Sequence, residues 1–272
     1  RGVENTQKVT YAMQMVSTVK FSQQSKGLNG VRPYFSGMEA ILTHLANSQE
    51  DTGSAYFDSR PDDKRAVLCV ITSDTGLCGL YNRNVLRLAD DFISKQGKDN
   101  VSLLLIGKKG ISYFKTRGIK ILHTYAGLNG IYSRLLSDEI TAILSNAYLS
   151  GRVGSVYVAS TYFVNALVQN AALWKFLSID IKREPGREYI VDQDFKTLLE
   201  ELSRRYILAK MRFTLLESFT SEHASRSLSM RTATDNAQEL LEGLVLIKNK
   251  IRQTSITHEM LEIIASSEGF RS

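Results

Sequence analysis

The residues best placed to do chemistry lie in one short loop, Ser73–Gly79 (SDTGLCG), which directly follows an apolar run. The loop after the first strand of a doubly wound α/β domain is where such domains hold a phosphate. Here the two closest glycines are three positions apart, and the loop has neither the GxGxxG pattern nor the lysine and hydroxyl of GxxxxGK[ST]. The spacing therefore favours a tight turn between a strand and a helix over a nucleotide site.

The cysteines and histidines are spaced in a way that predicts no metal or redox site. Cys69 and Cys78 are nine positions apart, which matches neither a CxxC redox pair nor half of a zinc site. The histidines have no HxxxH or HxxE spacing that would bring two ligands onto one helix face. We also find no Ser, His and Asp set, no nucleophile elbow and no paired catalytic carboxylates at predicted strand ends. We therefore expect a protein that is not an enzyme and needs neither a cofactor nor a metal. The histidines are His44, His123, His223 and His258.

Composition narrows the range of partners. The chain has 272 residues, of which 43% are hydrophobic, and carries a formal net charge of +6. No run approaches the roughly 18 to 20 apolar residues of a membrane helix, and the N-terminus lacks a signal pattern. The positive charge suggests an acidic partner. Its lysines and arginines are spread along the chain without the interleaved aromatics of a nucleic-acid groove, so we expect no nucleic acid.

The middle of the chain, from residue 64 to residue 185, has the pattern of an α/β domain. Short, continuous apolar runs alternate with helical patterns, which predicts a mainly parallel, buried sheet. A further run, Trp174–Lys182, adds one more strand that could be antiparallel. The predicted strands are Ala66–Thr72, Val101–Gly107, Ile119–Leu122 and Ser155–Thr161, and the predicted helices are Asn84–Lys95, Lys108–Thr116 and Ser133–Leu149.

Both ends of the chain have coiled-coil patterns, over residues 1–57 and 194–272. From Arg187 to Glu268 there is no proline and only one glycine, Gly243, which predicts one very long helix or two in line. Apolar residues at alternating steps of three and four predict that the two ends pair as an antiparallel coiled coil. Pro33 should bend the first helix or mark a short break. The seam positions are Val9, Met13, Val16, Val19, Leu28, Val31, Phe35, Met38, Leu42 and Leu45 near the start, and Leu199, Leu202, Tyr206, Ala209, Phe213, Leu216, Leu240, Leu244, Ile247 and Ile251 near the end.

A stretch of small and polar residues, Glu217–Gln238, interrupts the second pattern. Small residues allow close helix approach, and few large apolar groups leave little adhesive surface. Two interpretations remain open: a solvated part of a long helix, or a smooth bearing surface that a partner holds loosely.

Four segments resemble, in order and spacing, the signature segments of the ATP synthase gamma subunit family. The resemblance covers essentially the whole chain, and it implies an antiparallel coiled coil of the chain ends with an inserted Rossmann-like α/β domain. It also implies a central rotor shaft that couples ion-driven rotation of a membrane c-ring to ATP synthesis or hydrolysis in an alpha/beta hexamer. The segments are Asn5–Phe21, Ile71–Asn82, Thr220–Ala237 and Ile251–Ile264.

The resemblance implies partners and a location. The coiled coil of family members lies inside the hexamer of alpha and beta subunits, and the α/β foot rests on the c-ring beside the epsilon subunit. This association makes the protein peripheral to the cytoplasmic face of a bacterial inner membrane, or to the matrix face of the mitochondrial inner membrane.

The resemblance also implies interface residues. Met13 and Lys20 match positions on the first helix that face an acidic loop of a beta subunit, and Arg226 matches a basic partner on the last helix, also at the interface with alpha and beta. Tyr189 and Asp192 match the foot position that meets the polar loop of the c-ring. A polar set near the end of the last helix matches a catch that contacts hexamer loops, and consists of Arg252, Gln253, Thr257 and Glu259.

Some features depart from the family, and two alternatives stay open. Thr75 stands where the family usually has a basic residue, and Arg1 aligns about a dozen residues after the usual start. The cysteine-bearing insertion of chloroplast members is missing, which argues against thiol regulation. The alternatives are a gamma-like shaft of a related rotary motor not dedicated to ATP synthesis, and a nucleotide-dependent α/β enzyme with helical arms.

Overall fold

The computed structural model describes residues 1–47, 54–180 and 195–269. Within them the chain forms five α-helices and one sheet of five strands, with a short 3-10 turn at Lys98–Asn100. No helix among these residues is long and apolar enough to cross a membrane. The helices are α1 (Gly2–Asn47), α2 (Tyr81–Gln96), α3 (Lys108–Phe114), α4 (Arg134–Leu149) and α5 (Phe195–Gly269), and the strands are β1 (Ala66–Ile71), β2 (Val101–Ile106), β3 (Lys120–Tyr125), β4 (Ser155–Phe163) and β5 (Gln169–Leu177).

The sheet has the strand order β3-β2-β1-β4-β5. The pairs β1–β2, β1–β4 and β2–β3 are parallel, whereas β5 runs antiparallel to β4. The predicted strands and helices of the middle region are confirmed, with ends that differ by a few residues. The last strand is antiparallel as suggested, but it begins at Gln169, five residues before the predicted start.

Alternation along β1 divides the core into two layers. Val67, Cys69 and Ile71 face α1, α4 and α5, and Leu68 and Val70 face α2 and α3. Every residue of β1 is buried, which explains why its sequence is apolar throughout rather than alternating. The sheet is therefore covered on both faces.

Helices α1 and α5 pair antiparallel. Side-chain hydrogen bonds join Gln7 to Gln238 at one end, and Tyr206 to Glu39 near the other. The predicted coiled coil with an inserted α/β domain is confirmed. Helix α1 continues through Pro33, so the short break suggested there is wrong. Pro33 removes only one of the many backbone hydrogen bonds of this 46-residue helix. Packing of α1 against α5 compensates for the loss.

One glycine is required by the approach of β1 to β2. Gly107 directly follows β2 with φ +93°, and a Cβ there would lie 2.1 Å from the backbone oxygen of Thr72. The Thr72 hydroxyl donates to the Ile106 carbonyl and accepts from the Gly110 N–H. This close contact fixes the start of the Ser73–Gly79 loop at the carboxyl ends of the strands.

Candidate functional site

The Ser73–Gly79 loop is held by an aspartate within it. The Asp74 carboxylate accepts backbone N–H groups from Lys108 at 3.0 Å, Gly127 at 3.0 Å and Asn129 at 2.7 Å. These bonds tie the loop to the segments that follow β2 and β3. The negative charge of the Asp74 carboxylate would repel a phosphate bound at this loop. The position of Asp74 therefore argues against a nucleotide site here.

Helix α5 fills the crevice in which a doubly wound domain would hold its ligand. Arg226 donates to the carbonyl oxygens of Thr75 (Nη2, 3.0 Å) and Gly76 (Nε, 3.2 Å), and Ser225 donates to that of Cys78 at 2.8 Å. A phosphate site needs N–H donors, whereas this loop turns its carbonyl oxygens toward α5. The loop is therefore a docking surface for α5, which agrees with the predicted turn.

A buried polar cluster lies at this junction. Arg226 pairs with Glu222 one turn earlier on α5 at 2.9 Å, and both are nearly inaccessible to solvent. Arg226 Nη1 also donates to Nδ1 of His223 at 3.3 Å, and His223 Nε2 lies 2.9 Å from the Gly130 carbonyl, to which it donates as neutral imidazole. Burial lowers the pKa of His223 to about 4 and raises that of Glu222 to about 7. The cluster thus positions α5 on the sheet domain.

Close packing at the cluster depends on a small residue. Gly130 has φ +65°, and a Cβ there would lie 2.5 Å from Nε2 of His223. The Oε2 atom of Glu222 has no hydrogen-bond partner among the described residues. An unpartnered buried acceptor favours the protonated carboxyl, in the same direction as the raised pKa.

A groove of about 340 Å³ separates α1 from the foot loops next to this cluster. Met13, Lys20 and Arg226 all line it, so the structure brings together the three residues that the resemblance assigned to one interface. Lys20 Nζ lies 3.3 Å from the Asn129 carbonyl oxygen. Arg226 directs its hydrogen bonds within the chain, whereas Met13 and Lys20 stay half-buried at the groove. Their role toward a beta subunit remains a prediction.

The seam predicted in the first half of α1 is wrong. Val9, Val16 and Val19 are 58%, 58% and 67% exposed, and Met13 is only half-buried. The contact with α5 is made instead by polar side chains, as in the hydroxyl pairs Thr10–Thr234 and Thr18–Ser227, each at 2.8 Å. Paired polar groups satisfy one another and tolerate close helices, so α1 turns its apolar stripe outward.

The seam predicted near the end of α5 also has no helix against it in the described structure. Leu240, Leu244, Ile247 and Ile251 are each 45% or more exposed. The physical reason is length: Gln7, near the start of α1, already pairs with Gln238. The predicted seam is confirmed where the second half of α1 packs against the first half of α5, since Leu28, Leu42 and Leu199 are fully buried.

The small-residue stretch is not solvated over its first part, and both interpretations of it were wrong there. Residues 217–224 are all buried within the chain. Ser218 accepts or donates a 2.7 Å hydrogen bond with Tyr81, at the start of α2. Small side chains here let α5 approach the sheet domain closely, and the buried hydroxyls of Thr220 and Ser221 have no hydrogen-bond partner among the described residues. From Ser227 to Gln238 most residues are exposed or half-buried, and only Met230 and Ala237 are buried.

The distal polar set lies on a free part of α5. Arg252, Gln253, Thr257 and Glu259 are exposed, and the Thr257 hydroxyl donates to the Gln253 carbonyl at 2.9 Å. The c-ring position, Tyr189 and Asp192, falls outside the described residues.

Sequence reasoning missed the residues that anchor this junction. Asp74 gave no signal, because its partners are backbone groups of distant loops. Glu222 did give one, since an acid four positions before Arg226 on a helix is a recognised pairing distance. Its burial among serines was not visible in the sequence.

Comparisons with known proteins place the chain among proteins of one kind. A family model described as ATP synthase matches residues 1–270. A protein of a Geobacter species named ATP synthase gamma chain is 35% identical over 279 aligned positions, which cover 99% of this chain and 95% of that protein. A protein of the same name from Geotalea uraniireducens is 33% identical with the same coverage. A chain in the mitochondrial ATP synthase structure of Euglena gracilis has the same fold, with a TM-score of 0.69, 15% identity, and coverage of 99% of this chain and 92% of that chain.

Proposed function

The chain belongs to the ATP synthase gamma-chain family and is the central stalk subunit of an F-type ATP synthase, and we propose that it acts there as a non-catalytic shaft. Its partners in this proposal are the alpha and beta subunits around the coiled coil, and the epsilon subunit and c-ring at the foot. The c-ring holds it peripherally on the cytoplasmic face of a bacterial inner membrane, or on the matrix face in a mitochondrion.

One observation carries the proposal: the end of α5 exposes several large apolar residues that no described part of the chain covers. Leu246, Ile251 and Leu261 are 71%, 63% and 60% exposed, on a helix that continues past its last described contacts with α1. Single exposed apolar residues are ordinary, but a run of them along a projecting helix marks a surface that another protein covers. We assign this surface to the hexamer of alpha and beta subunits.

The non-catalytic role is supported by the Ser73–Gly79 loop. Helix α5 occupies the space at the carboxyl ends of the strands. The carbonyl oxygens of the loop accept hydrogen bonds from α5, and these bonds hold the coiled coil (the shaft) on the α/β domain (the foot). Such fixation suits a rotor, because torque applied to the foot must reach α5 without slippage. The buried cluster of Glu222, His223 and Arg226 is the fastening in this proposal.

The proposed mechanism is mechanical. An off-axis shaft presents different faces to successive beta subunits and biases each between open and closed states. Only contacts that differ between those states transmit work. We assign this task to the groove residues Met13 and Lys20 and to the exposed distal polar set that includes Arg252 and Glu259, and we assign Tyr189 with Asp192 to the c-ring. Arg226 lines the same groove but is buried and bonds within the chain, so its role toward the beta subunit stays a prediction.

Co-expression with the alpha and beta subunits of the same organism tests the proposal. We expect affinity-tagged chain to capture alpha and beta in equal amounts, both in excess over the chain, as read by mass. The distal variant Leu246→Gln, Ile251→Gln, Leu261→Gln should capture at least tenfold less, because each substitution removes apolar surface from the contact.

The matched control places the same three changes on the foot, at Leu80, Leu135 and Leu167, which are 59%, 83% and 72% exposed. It should capture alpha and beta as the unaltered chain does. Equal capture by the distal and control variants would contradict the assignment of the distal surface. No capture by the unaltered chain would contradict the shaft itself, and micromolar binding of Mg-ATP by the chain alone would favour the enzyme alternative.

A further inference from the structure

A polar cleft lies at the amino-terminal ends of the strands, whereas the Ser73–Gly79 loop lies at their carboxyl ends. It occupies about 390 Å³ between the segment 59–64, the end of α2, and the amino-terminal ends of β1 and β4. Four cationic side chains line it, namely Arg60, Lys64, Lys95 and Lys175. We call this feature the basic cleft. It takes no part in the docking of α5 described above.

The carboxylate in the lining is already neutralised. Asp63 accepts from Arg65 through two parallel bonds, Nε to Oδ1 at 2.9 Å and Nη2 to Oδ2 at 2.8 Å, and also from the Arg65 backbone N–H at 3.0 Å. These hydrogen bonds lower the pKa of Asp63, so the carboxylate stays ionised and bound to Arg65. Asp63 is therefore a poor partner for the lysines of the cleft.

The three lysines are unpaired in the part of the chain that the structure describes. Lys64 and Lys95 are exposed and Lys175 is half-buried, and none forms an ion pair with a described carboxylate. Arg60 differs, because it bonds the Tyr148 carbonyl at 3.0 Å and lies 3.6 Å from Asp58. Three ammonium groups around one cleft repel one another, and a multivalent anion would relieve that repulsion.

The neutral groups of the lining indicate what kind of ligand fits. The amides of Gln96 and Asn100 are engaged, by the Lys64 carbonyl at 2.8 Å and the Gln96 carbonyl at 2.9 Å respectively. Helix α2 ends here, so its carboxyl terminus adds a slight negative potential. Recognition therefore depends on the lysine charges, which act as point charges for phosphate rather than as a planar fork for a carboxylate.

We propose that the basic cleft is a binding site for a phosphate-bearing anion, either a free polyphosphate or the headgroup of an acidic phospholipid. Lys64, Lys95 and Lys175 supply the charge, and Arg60, fixed on Tyr148, supplies the rim. No residue of the groove or of the distal helix lines the site.

Calorimetric titration of the full chain with inorganic pyrophosphate at low salt tests the proposal. We expect saturable binding that weakens as salt is added, since the lysines are open to solvent screening. The variant Lys64→Gln, Lys95→Gln, Lys175→Gln should bind at least tenfold more weakly. A control variant, Lys108→Gln, Lys115→Gln, Lys120→Gln, removes the same charge from exposed positions on α3, after it and at the start of β3, none of which lines the cleft, and should bind as the unaltered chain does. Circular dichroism of each variant verifies the fold.

Vesicle co-sedimentation distinguishes the two sources of phosphate. Phosphatidylglycerol vesicles that retain the unaltered chain and the control variant, but not the cleft variant, would assign the site to a lipid headgroup. Pyrophosphate binding without such retention would assign it to a free polyphosphate. Loss of pyrophosphate and vesicle binding to the same degree in both triple variants would overturn the proposal, because only net charge would then matter. Absence of both kinds of binding in the unaltered chain would overturn it too.

Discussion

Two parts of the same helix, α5, differ completely in what covers them. Along residues 199–226 most side chains are buried against α1 and the sheet, and even Ser218, Glu222 and Arg226 are inaccessible. Along residues 244–262 the side chains are exposed, including several large apolar ones. The first part is specified by contacts within the chain. The second combines large apolar residues with charged ones such as Lys248 and Lys250, and no described part of the chain covers it.

The contrast shows that one helix has a part anchored within the chain, residues 199–226, which we call the fixed end, and a part that we assign to partner subunits, residues 244–262, which we call the working end. The fixed end combines apolar packing with a small set of buried polar bonds, which define one orientation of α5 on the foot. The working end carries no such bonds to the foot. Stability of the isolated chain should therefore respond to changes in the first part and ignore those in the second.

The largest expected effect tests that contrast directly with one type of change. Leu215→Ala, at a fully buried position, should lower the free energy of unfolding by about 4 kcal/mol, through lost transfer energy and a cavity. Leu246→Ala, at a position 71% exposed, should change it by less than about 0.5 kcal/mol. Urea unfolding of the isolated chain measures both values. Similar losses for the two variants would mean that the distal helix is already covered within the chain.

The second prediction compares two Glu–Arg pairs of equal spacing on α5. Glu222–Arg226 is buried at 2.9 Å, and Glu201–Arg205 is exposed at 2.8 Å. Arg226→Leu should destabilise the protein by about 3 kcal/mol, because it leaves a buried acid and two loop carbonyls without donors. Arg205→Leu should cost less than about 0.5 kcal/mol.

A double-mutant cycle separates the pair from the loop contacts. Glu222→Gln combined with Arg226→Leu should recover part of the loss, since no buried ionisable acid is then left without its Arg226 partner. If the double variant is as unstable as Arg226→Leu alone, the loop carbonyls of Thr75 and Gly76 account for the whole effect.

The sequence was sufficient to predict the architecture because each helix and strand has a pattern that is visible in its own residues. Continuous apolar runs such as Val101–Ile106 belong to buried parallel strands, and the proline-free end predicted one long helix or two in line, of which the structure has one. The pairing of α1 with α5 followed from apolar residues such as Leu28 and Leu42. These signals need no knowledge of distant contacts.

The register of the upper coiled coil and the buried cluster could not be predicted in the same way. Val9 and Val16 have the spacing of a seam, yet α5 offers Thr234 and Ser227 to that region, and hydroxyls select Thr10 and Thr18 as partners. Apolar periodicity reports that a face will be covered but not by which molecule. The candidate interface at Met13 and Lys20 came from the family resemblance for this reason.

The third prediction concerns pH and the buried acid Glu217. Burial raises its pKa to about 7, and Arg32 at 3.9 Å only partly opposes this. The folded state then binds a proton that the unfolded state releases near pH 4.5, so the contribution of this group to stability falls as pH rises from about 4.5 to 7. Glu217→Gln should remove that fall, which we expect to amount to about 1–2 kcal/mol.

Unfolding curves at several pH values measure this effect as the difference between variant and unaltered chain. The difference should grow in favour of Glu217→Gln up to pH 7 and then level off. Glu201→Gln is the control of opposite sign, because a hydrogen bond from Arg205 lowers the pKa of Glu201. A difference for Glu217→Gln that stays flat with pH would show that the carboxyl is solvated in the folded protein.

Substitutions on the face of α1 that is turned away from α5 should have the smallest effect on stability. Met13 is half-buried at the groove and Met15, two residues on, is 49% exposed and does not line it. Either residue changed to Lys should alter the free energy of unfolding by less than about 0.5 kcal/mol, since neither belongs to the polar seam with α5. The two variants should nevertheless differ in the assembled enzyme.

Met13→Lys places a cation in the groove that we assign to an acidic beta-subunit loop, and near a protein surface such a pair attracts by up to about 4 kcal/mol before desolvation reduces it. The added bond should hold one rotary position too firmly, so ATP hydrolysis persists while ion pumping weakens, increasingly so as temperature rises. Met15→Lys adds the same charge outside the groove and should leave both activities unchanged. Hydrolysis and pumping measured together in membrane vesicles decide the matter. Equal behaviour of the two variants would mean that the groove does not face an acidic loop, and unfolding by Met13→Lys would return Met13 to the core of the coiled coil.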